Sequence, residues 1–284
     1  MATVLRRDFY GVSQSTVFRV TPIGDIHLGA AACDEDRLRS VINRVAQEDN
    51  HYWIGMGDYC DWINMKDPRF SVESLADWIT RPMMADIAKA QLSRLLDYVK
   101  PIAGKCLGLV QGNHERAILK HSERDVYQEL ACALKETAGF PGEYKLALGI
   151  YGWIRMVFHN SSDGSGIRKI TINCHHGFTG GKLAGAKALD MQKWLWTHDA
   201  DIVIFGHCHT APMQPEAVEL LNKSDNIVTT VRKGVYSGTF LKSVTENVST
   251  YSEAKGYFPN PTGIIPEIKI RPWETREKRV RITE

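Results

Sequence analysis

Five short stretches of this chain each set carboxylate, imidazole or amide side chains beside a glycine. They are Gly24-Asp25-Ile26-His27, Gly57-Asp58, Gly112-Asn113-His114-Glu115, His175-His176-Gly177 and Gly206-His207-Cys208-His209. Their nitrogen and oxygen donors suit Mn, Fe or Zn. Asp25 and His27 are two residues apart, a spacing that sends both side chains to one side of an extended backbone and lets both reach one ion. Asp58 has two carboxylate oxygens and can bridge a pair of ions about 3.5–4 Å apart. Asn113 offers an amide oxygen, while the adjacent His114 points elsewhere and is free to transfer a proton. His207 and His209 repeat the two-residue spacing, and Cys208 between them reads as a small buried apolar residue. Of His175 and His176, only one should face the ions, because neighbours in an extended chain point to opposite sides. Each stretch alone has an ordinary reading as a turn, a capping Asp or a helix start. Five in succession, most of them after an apolar run, are not explained that way.

The apolar runs are the elements that must position these residues. Thr16 to Ile23 alternates as a strand ending at Asp25, Tyr52-Trp53-Ile54 leads as a strand to Asp58, and Cys106 to Val110 leads to Asn113. Strands are also expected at Trp153–Phe158, at Ile170–Cys174 (delivering His175) and at Ile202–Phe205 (delivering His207). Leu38, Val41, Ile42 and Val45 fall on one face of a helix expected over Asp34–Asp49. Further helices are expected over Met84–Val99, from Ser122 with Asp125 as a capping pair, and over Leu183–Trp196. Strands alternating with helices imply a largely parallel sheet with the donors at its strand C-terminal edge. Tyr59 to Pro101 reads as an insertion, either a helical pair packed on the sheet edge or a rim over the substrate. Its Trp62 is a candidate surface for stacking a base. From Ala211 onward the chain reads as strand pieces and turns.

The 284 residues suffice for one large α/β domain spanning 1–284. A net charge of +2 neither demands nor excludes a polyanionic partner, although a dedicated duplex binder would more often show a basic excess. The six cysteines form no C-x-x-C pair and read as reduced thiols of a cytosolic protein. Arg6, Arg7 and Asp8 near the start leave no apolar segment for a secretory signal, and no stretch is long enough to span a bilayer. Thr179-Gly180-Gly181-Lys182 offers backbone N–H groups to an anion but is not a P-loop, since His176 and Leu183 occupy the positions that would need Gly and Ser or Thr. The basic residues from Lys269 to Arg281 are interleaved with Glu267, Glu274 and Glu277, which reads as a solvated terminal hairpin.

At the five stretches the chain resembles the calcineurin-like metallophosphoesterase superfamily. That superfamily carries Asp-x-His, Gly-Asp, Gly-Asn-His-Asp/Glu, a lone His and Gly-His-x-His in this order, all intact here between Asp25 and His209. Gly238-Thr239-Phe240 and Tyr251 to Gly263 look like phage- or prophage-type members. The resemblance implies an α/β fold of two stacked mixed β-sheets flanked by helices, a four-layer α/β/β/α sandwich. It implies two divalent ions, Mn foremost, with Fe, Zn, Ni or Co as alternatives. One ion would take Asp25, His27, Asp58 and His209, and the other Asp58, Asn113, His175 and His207. His175 is preferred to His176 because members with His-x-Gly or His-His-Pro at this point bind metal through the first His. His114 would act in catalysis by protonating the leaving group, and Arg116 and His176 would be substrate contacts.

The activity implied is metal-assisted phosphoester hydrolysis. The expected substrate is a phosphodiester in a nucleotide or single-stranded nucleic acid. The alternatives are a phosphomonoesterase, including a protein phosphatase, and, in a different class, a catalytically inactive binding module on the same fold. The expected location is the cytoplasm of a bacterial host, with no membrane partner; the sequence sets no oligomeric state.

Overall fold

Ile202-Val203-Ile204-Phe205 and Cys106-Leu107-Gly108-Leu109-Val110 carry no charged side chain, and strands of this kind must be covered on both faces. The computed structural model meets that demand with two sheets and an outer layer of helices on each. It describes residues 3–160, 166–178, 184–209, 213–221, 224–244, 264–275 and 278–283. The loop Thr179 to Lys182 and the segment Tyr251 to Gly263 lie outside the described residues.

The strands are β1 (Thr3–Val12), β2 (Phe18–Ile23), β3 (His51–Gly55), β4 (Cys106–Val110), β5 (Ala147–Gly149), β6 (Tyr151–Asn160), β7 (Ile167–His175), β8 (Ile202–Phe205), β9 (Met213–Leu221), β10 (Ile227–Tyr236), β11 (Glu267–Ile270) and β12 (Val280–Thr283). The helices are α1 (Glu35–Gln47), α2 (Ile87–Val99), α3 (Asn113–Ser122), α4 (Val126–Thr137) and α5 (Ala184–Thr197). One sheet runs β1-β6-β7-β8-β10-β9 and the other β12-β11-β2-β3-β4-β5. Parallel pairing joins β2 to β3, β3 to β4, β4 to β5, β7 to β8 and β8 to β10, while β6–β7, β9–β10, β2–β11 and β11–β12 are antiparallel. The sheets are therefore mixed, as the family resemblance implies, rather than largely parallel as strand–helix alternation alone suggested.

The period of two along each strand sorts its side chains between layers. In β8, Ile202 and Ile204 enter the core between the sheets, whereas Val203 and Phe205 meet Met191 and Leu195 of α5. In β3, Ile54 faces the other sheet and Trp53 faces the helices. The second sheet is covered by α1, α2 and α4 through Leu38, Val45, Leu95 and Leu130. Asp34 caps α1 by accepting from the Arg37 N–H at 3.1 Å, with Glu35 and Asp36 in the first turn and Arg44 in the last, a charge order that suits the helix dipole.

One strand adds to those expected, and two expectations are corrected. The first strand, β1, was not anticipated, because Arg7 sits at one of its buried positions and breaks the apolar alternation. The Arg7 guanidinium donates to the Leu107 and Lys145 carbonyls at 3.0 and 2.6 Å and lies over the Tyr144 ring, so β1 is fastened across to the second sheet. Ser122 does not share in capping α4. It ends α3, and Asp125 alone accepts from the Gln128 N–H at 3.0 Å. The segment from Tyr59 to Pro101 holds one α-helix, α2, entered through a 3-10 turn at Arg81–Asp86, rather than a helical pair. Its first half, with Asn64, Asp67 and Pro68, is an irregular loop held by turn hydrogen bonds. At the far end β11 and β12 do form an antiparallel hairpin, of which residues 276 and 277 lie outside the described residues.

Candidate metal centre

Asp25 follows β2, Asp58 follows β3, Asn113 follows β4, His176 follows β7, and His207 and His209 follow β8. Neighbouring parallel strands end at the same edge, and this edge gathers the donors. The backbone does not stay extended there. Asp25, His27, Asp58, His207 and His209 are all left-handed, with φ between 47° and 66°. Such conformations cost non-glycine residues about 1–3 kcal/mol each and persist where the surroundings enforce them. Asp25 and His27 thus converge through a turn rather than through a pleated strand.

Hydrogen bonds between loops enforce these turns. The Asp25 and Ile26 N–H groups donate to the Gly57 and Asp58 carbonyls, both at 2.9 Å. The Asp25 carboxylate accepts the His207 N–H at 3.0 and 2.9 Å and the Ser237 hydroxyl at 3.2 Å. The Asp25 carbonyl accepts from Thr239 Oγ1 at 2.9 Å and from the Phe240 N–H at 3.1 Å. Two glycines permit the close approach. Gly57 has φ +88°, and a Cβ there would stand 2.6 Å from both the Gly112 nitrogen and His176 Nδ1; a Cβ on Gly112 would collide with the Asp58 carboxylate.

The side chains form three overlapping groups, Asp25–His27–His209, His27–Asp58–His114 and Asp58–His176–His207, with donor atoms in each within 4.8 Å of one another. His27 Nε2 lies 3.3 Å from His209 Nε2, His209 Nε2 lies 3.4 Å from Asp25 Oδ1, and His176 Nε2 lies 3.2 Å from Asp58 Oδ2 and 2.9 Å from Asn113 Oδ1. Two buried carboxylates ringed by imidazole nitrogens and an amide oxygen are a donor set that fits divalent cations. Burial pushes the Asp58 carboxyl up, but His176, His114 and His27 more than reverse this and hold it well below the carboxylate range. Burial works to lower His176, but Asp58 and Asp25 raise it to about 10. His27 and His207 are lowered, chiefly by burial.

The expectation that His175 faces the cluster is overturned. His176 faces it, with Nδ1 held by the Met56 carbonyl at 2.7 Å and Nε2 turned to Asp58 and Asn113. His175 packs among Trp194, Phe178 and Phe205, and its Nδ1 accepts the Gly177 N–H at 2.7 Å. Burial lowers it to about 4. The reason is strand parity. Ile170, Ile172 and Cys174 of β7 face the inter-sheet core, so residue 176 continues that face and 175 falls on the α5 side. The structure therefore brings together Asp25, His27, Asp58, Asn113, His114, His176, His207 and His209, and leaves His175 out. Arg116 is exposed on the first turn of α3.

Asp61 escaped sequence reasoning. Its carbonyl accepts His114 Nδ1–H at 2.6 Å, and its carboxylate lies 3.7 Å from His27 Nδ1 and 3.6 Å from His114 Nδ1. This bond fixes the His114 tautomer and leaves Nε2 for chemistry. The signal was a carboxylate three residues past Gly57-Asp58. Trp62 is corrected as well: it is 2 % exposed and presents no stacking surface.

The model of the family described as calcineurin-like phosphoesterase matches residues 18–211. Among solved structures, the chain is similar to a metallophosphoesterase from Sphaerobacter thermophilus (13% identity, 93% of this chain and 87% of that one, TM-score 0.39). It is similar to the NAD nucleotidase of Haemophilus influenzae (11% identity, 95% of this chain and 49% of that one, TM-score 0.36). It is also similar to a calcineurin-like phosphoesterase from Bacillus subtilis (10% identity, 94% of this chain and 90% of that one, TM-score 0.36). No curated protein matches significantly.

Beneath the donors, Glu115 ties the loop after β3 to the turn between β4 and α3. Its carboxylate accepts the N–H groups of Asp58 (2.9 Å), Tyr59 (2.9 Å) and Gly112 (2.7 Å) and the Trp62 indole N–H (2.8 Å). Burial, with Asp58 alongside, raises its pKa against the pull of these donors. A glutamine here would turn an NH2 donor toward N–H groups that need acceptors. Glu115→Gln is expected to lower the thermal midpoint by several degrees, the equivalent of about 1–3 kcal/mol, measured by calorimetry. An unchanged midpoint would show that Glu115 does not hold these loops.

Proposed function

The chain belongs to the calcineurin-like phosphoesterase family and is a metal-dependent phosphoester hydrolase, and we propose that it uses two divalent ions to cleave phosphodiesters in nucleotides or short single-stranded nucleic acid. The observation that carries the two-ion reading is Asp58, whose carboxylate lies between His27 and His176 and belongs to two of the donor groups. One ion takes Asp25, His27, Asp58 and His209; the other takes Asp58, Asn113, His176 and His207. When bound, divalent ions lower the pKa of a coordinated water and neutralise charge that builds on the phosphoryl oxygens.

The protein's own groups do the rest. His114 Nδ1–H is held by the Asp61 carbonyl, and against the pull of burial Asp58 and Asp61 raise its pKa, so of the imidazolium's two protons the one on Nε2 passes to the departing oxygen. The Asp58 carboxylate, which accepts the His114 N–H at 2.9 Å, is kept charged and oriented by the histidines around it. Cys208, beside two of the histidines, is buried and its thiol is pushed up to about 12, so it does not serve as a nucleophile. A net charge of +2 favours a short substrate over an extended duplex, because each neutralised phosphate needs a cation. None of the six cysteines is in a disulfide, which suits a reducing cytoplasm, and no helix among the described residues is long and apolar enough to cross a membrane. A purely scaffolding role gives no reason for five strained donors, two of them buried carboxylates.

Elemental analysis of the Mn(II)-loaded protein is expected to show two ions per chain. Asp58→Asn and His176→Ala should each reduce this content, whereas His175→Ala should leave it intact. Full occupancy in the His176 variant would refute the assignment. His114→Ala should retain metal and lower turnover by roughly 10²–10⁴, with a smaller loss on nitrophenyl esters, whose leaving group needs little protonation. Loss of metal in that variant would make His114 a ligand instead. A substrate panel with Mn(II) should show bis-nitrophenyl phosphate and short nucleic acid cleaved faster than mononitrophenyl phosphate. Release of phosphate from monoesters alone would establish the phosphomonoesterase reading.

A further inference from the structure

The irregular loop that follows Asp58 brings a guanidinium to the His114 side of the centre. Arg69 is fastened to Asp67 by three bonds. Its Nε and Nη2 donate to Oδ1 and Oδ2 at 3.0 and 2.7 Å, and its backbone N–H donates to Oδ1 at 2.9 Å. Asp67 is itself buried and fixed, its N–H donating to the Asn64 carbonyl at 2.9 Å. The Asn64 amide donates to Ser122 Oγ at 2.9 Å, at the end of the helix that begins with Asn113 and His114. Arg69 is therefore tied by hydrogen bonds to the helix that carries His114.

The fork to Asp67 consumes one edge of a planar group that has five N–H donors. The edge formed by Nη1 and the second Nη2–H remains. Nη1 stands 3.5 Å from His114 Nε2, too far for a good hydrogen bond, and it has no nearer partner among the described residues. The side chain is 44% exposed, so the guanidinium can be reached from solvent beside His114. After Asp67, the Asp61 and Asp58 carboxylates also help to hold its charge. An ion pair that served only the turn would not need the guanidinium to reach His114. A fixed end-on edge matches two oxygens of a phosphate.

We propose that Arg69 binds the substrate phosphate, its free edge taking a non-bridging oxygen while His114 Nε2 faces the leaving oxygen, and that Asp67 is its positioning residue. This rests on the phosphoesterase reading of the centre and assigns part of substrate recognition to the loop after Asp58 rather than to Arg116. The test is calorimetric titration of inorganic phosphate into the Mn(II)-loaded full chain, alongside KM and kcat for bis-nitrophenyl phosphate, metal content and the thermal midpoint. Arg69→Ala should weaken phosphate binding roughly 10- to 100-fold and raise KM, with metal content unchanged and a small fall in the midpoint, because the buried Asp67 carboxylate loses its partner. Arg69→Lys keeps the charge without the fork and should recover only part of the affinity. Asp67→Asn should fall between wild type and Arg69→Ala. Wild-type phosphate affinity in Arg69→Ala, or in Arg69→Lys should the alanine variant not fold, overturns the proposal, as does loss of metal in either variant. Phosphate binding that depends on Arg69 in a protein that cleaves no ester would support the subsite and refute the hydrolase reading; ester cleavage with phosphate binding independent of Arg69 would do the reverse.

Discussion

Two carboxylates, Asp25 and Asp58, are buried where two sheets meet, and most of the loop structure in this protein serves to make that tolerable. An isolated charge in such a place is unfavourable by several kcal/mol unless it is paired and hydrogen-bonded. Here each carboxylate accepts backbone N–H groups from the loop of another strand, His207 for Asp25 and His114 for Asp58. Imidazoles complete the shell. The left-handed residues follow from the same constraint, since only a sharp turn immediately after a strand lets a side chain and its neighbour's backbone point into one small volume.

Glu115 extends the constraint one layer outward. It looks like one more acid in a metal-binding stretch, yet its oxygens are fully used by four N–H donors. It is a fastener, and Trp62 is part of the same fastening. The large side chains after Asp58 divide accordingly: Trp62 is buried under the centre, while Met65 is exposed and Arg69 reaches the mouth.

Much of this was legible before any coordinates. Ile202–Phe205 and Cys106–Val110 are strands over the expected residues, because uninterrupted apolar runs of that length with glycine after them admit little else. The donor stretches were legible because ligating residue types beside glycine have no core role to explain them. Between His175 and His176 two signals conflict: the parity of Ile170, Ile172 and Cys174 points to 176, the family pattern points to 175, and the structure follows the parity. β1 was hidden by a buried arginine. Asp61 and Arg69 were hidden because an irregular loop has no periodicity to read, and the partners of Asp25 at 237–240 because nothing local marks a hydroxyl as belonging to a site some 210 residues earlier.

That last separation bears on how the molecule is built in time. β2, which carries Asp25, pairs with β11, and β1 pairs with β6, so the strands of the inter-sheet core are far apart in the chain. Ser237, Thr239 and Phe240 close the turn around Asp25 from beyond the matched family segment. During synthesis, the turn at Asp25 can form only transiently until residues near 240 have emerged, and β2 keeps an open edge until residues near 270 follow. Non-local closure of this kind slows folding and exposes unpaired strand edges meanwhile. The centre therefore cannot be complete until residues near 240 are in place, because the turn at Asp25 depends on them.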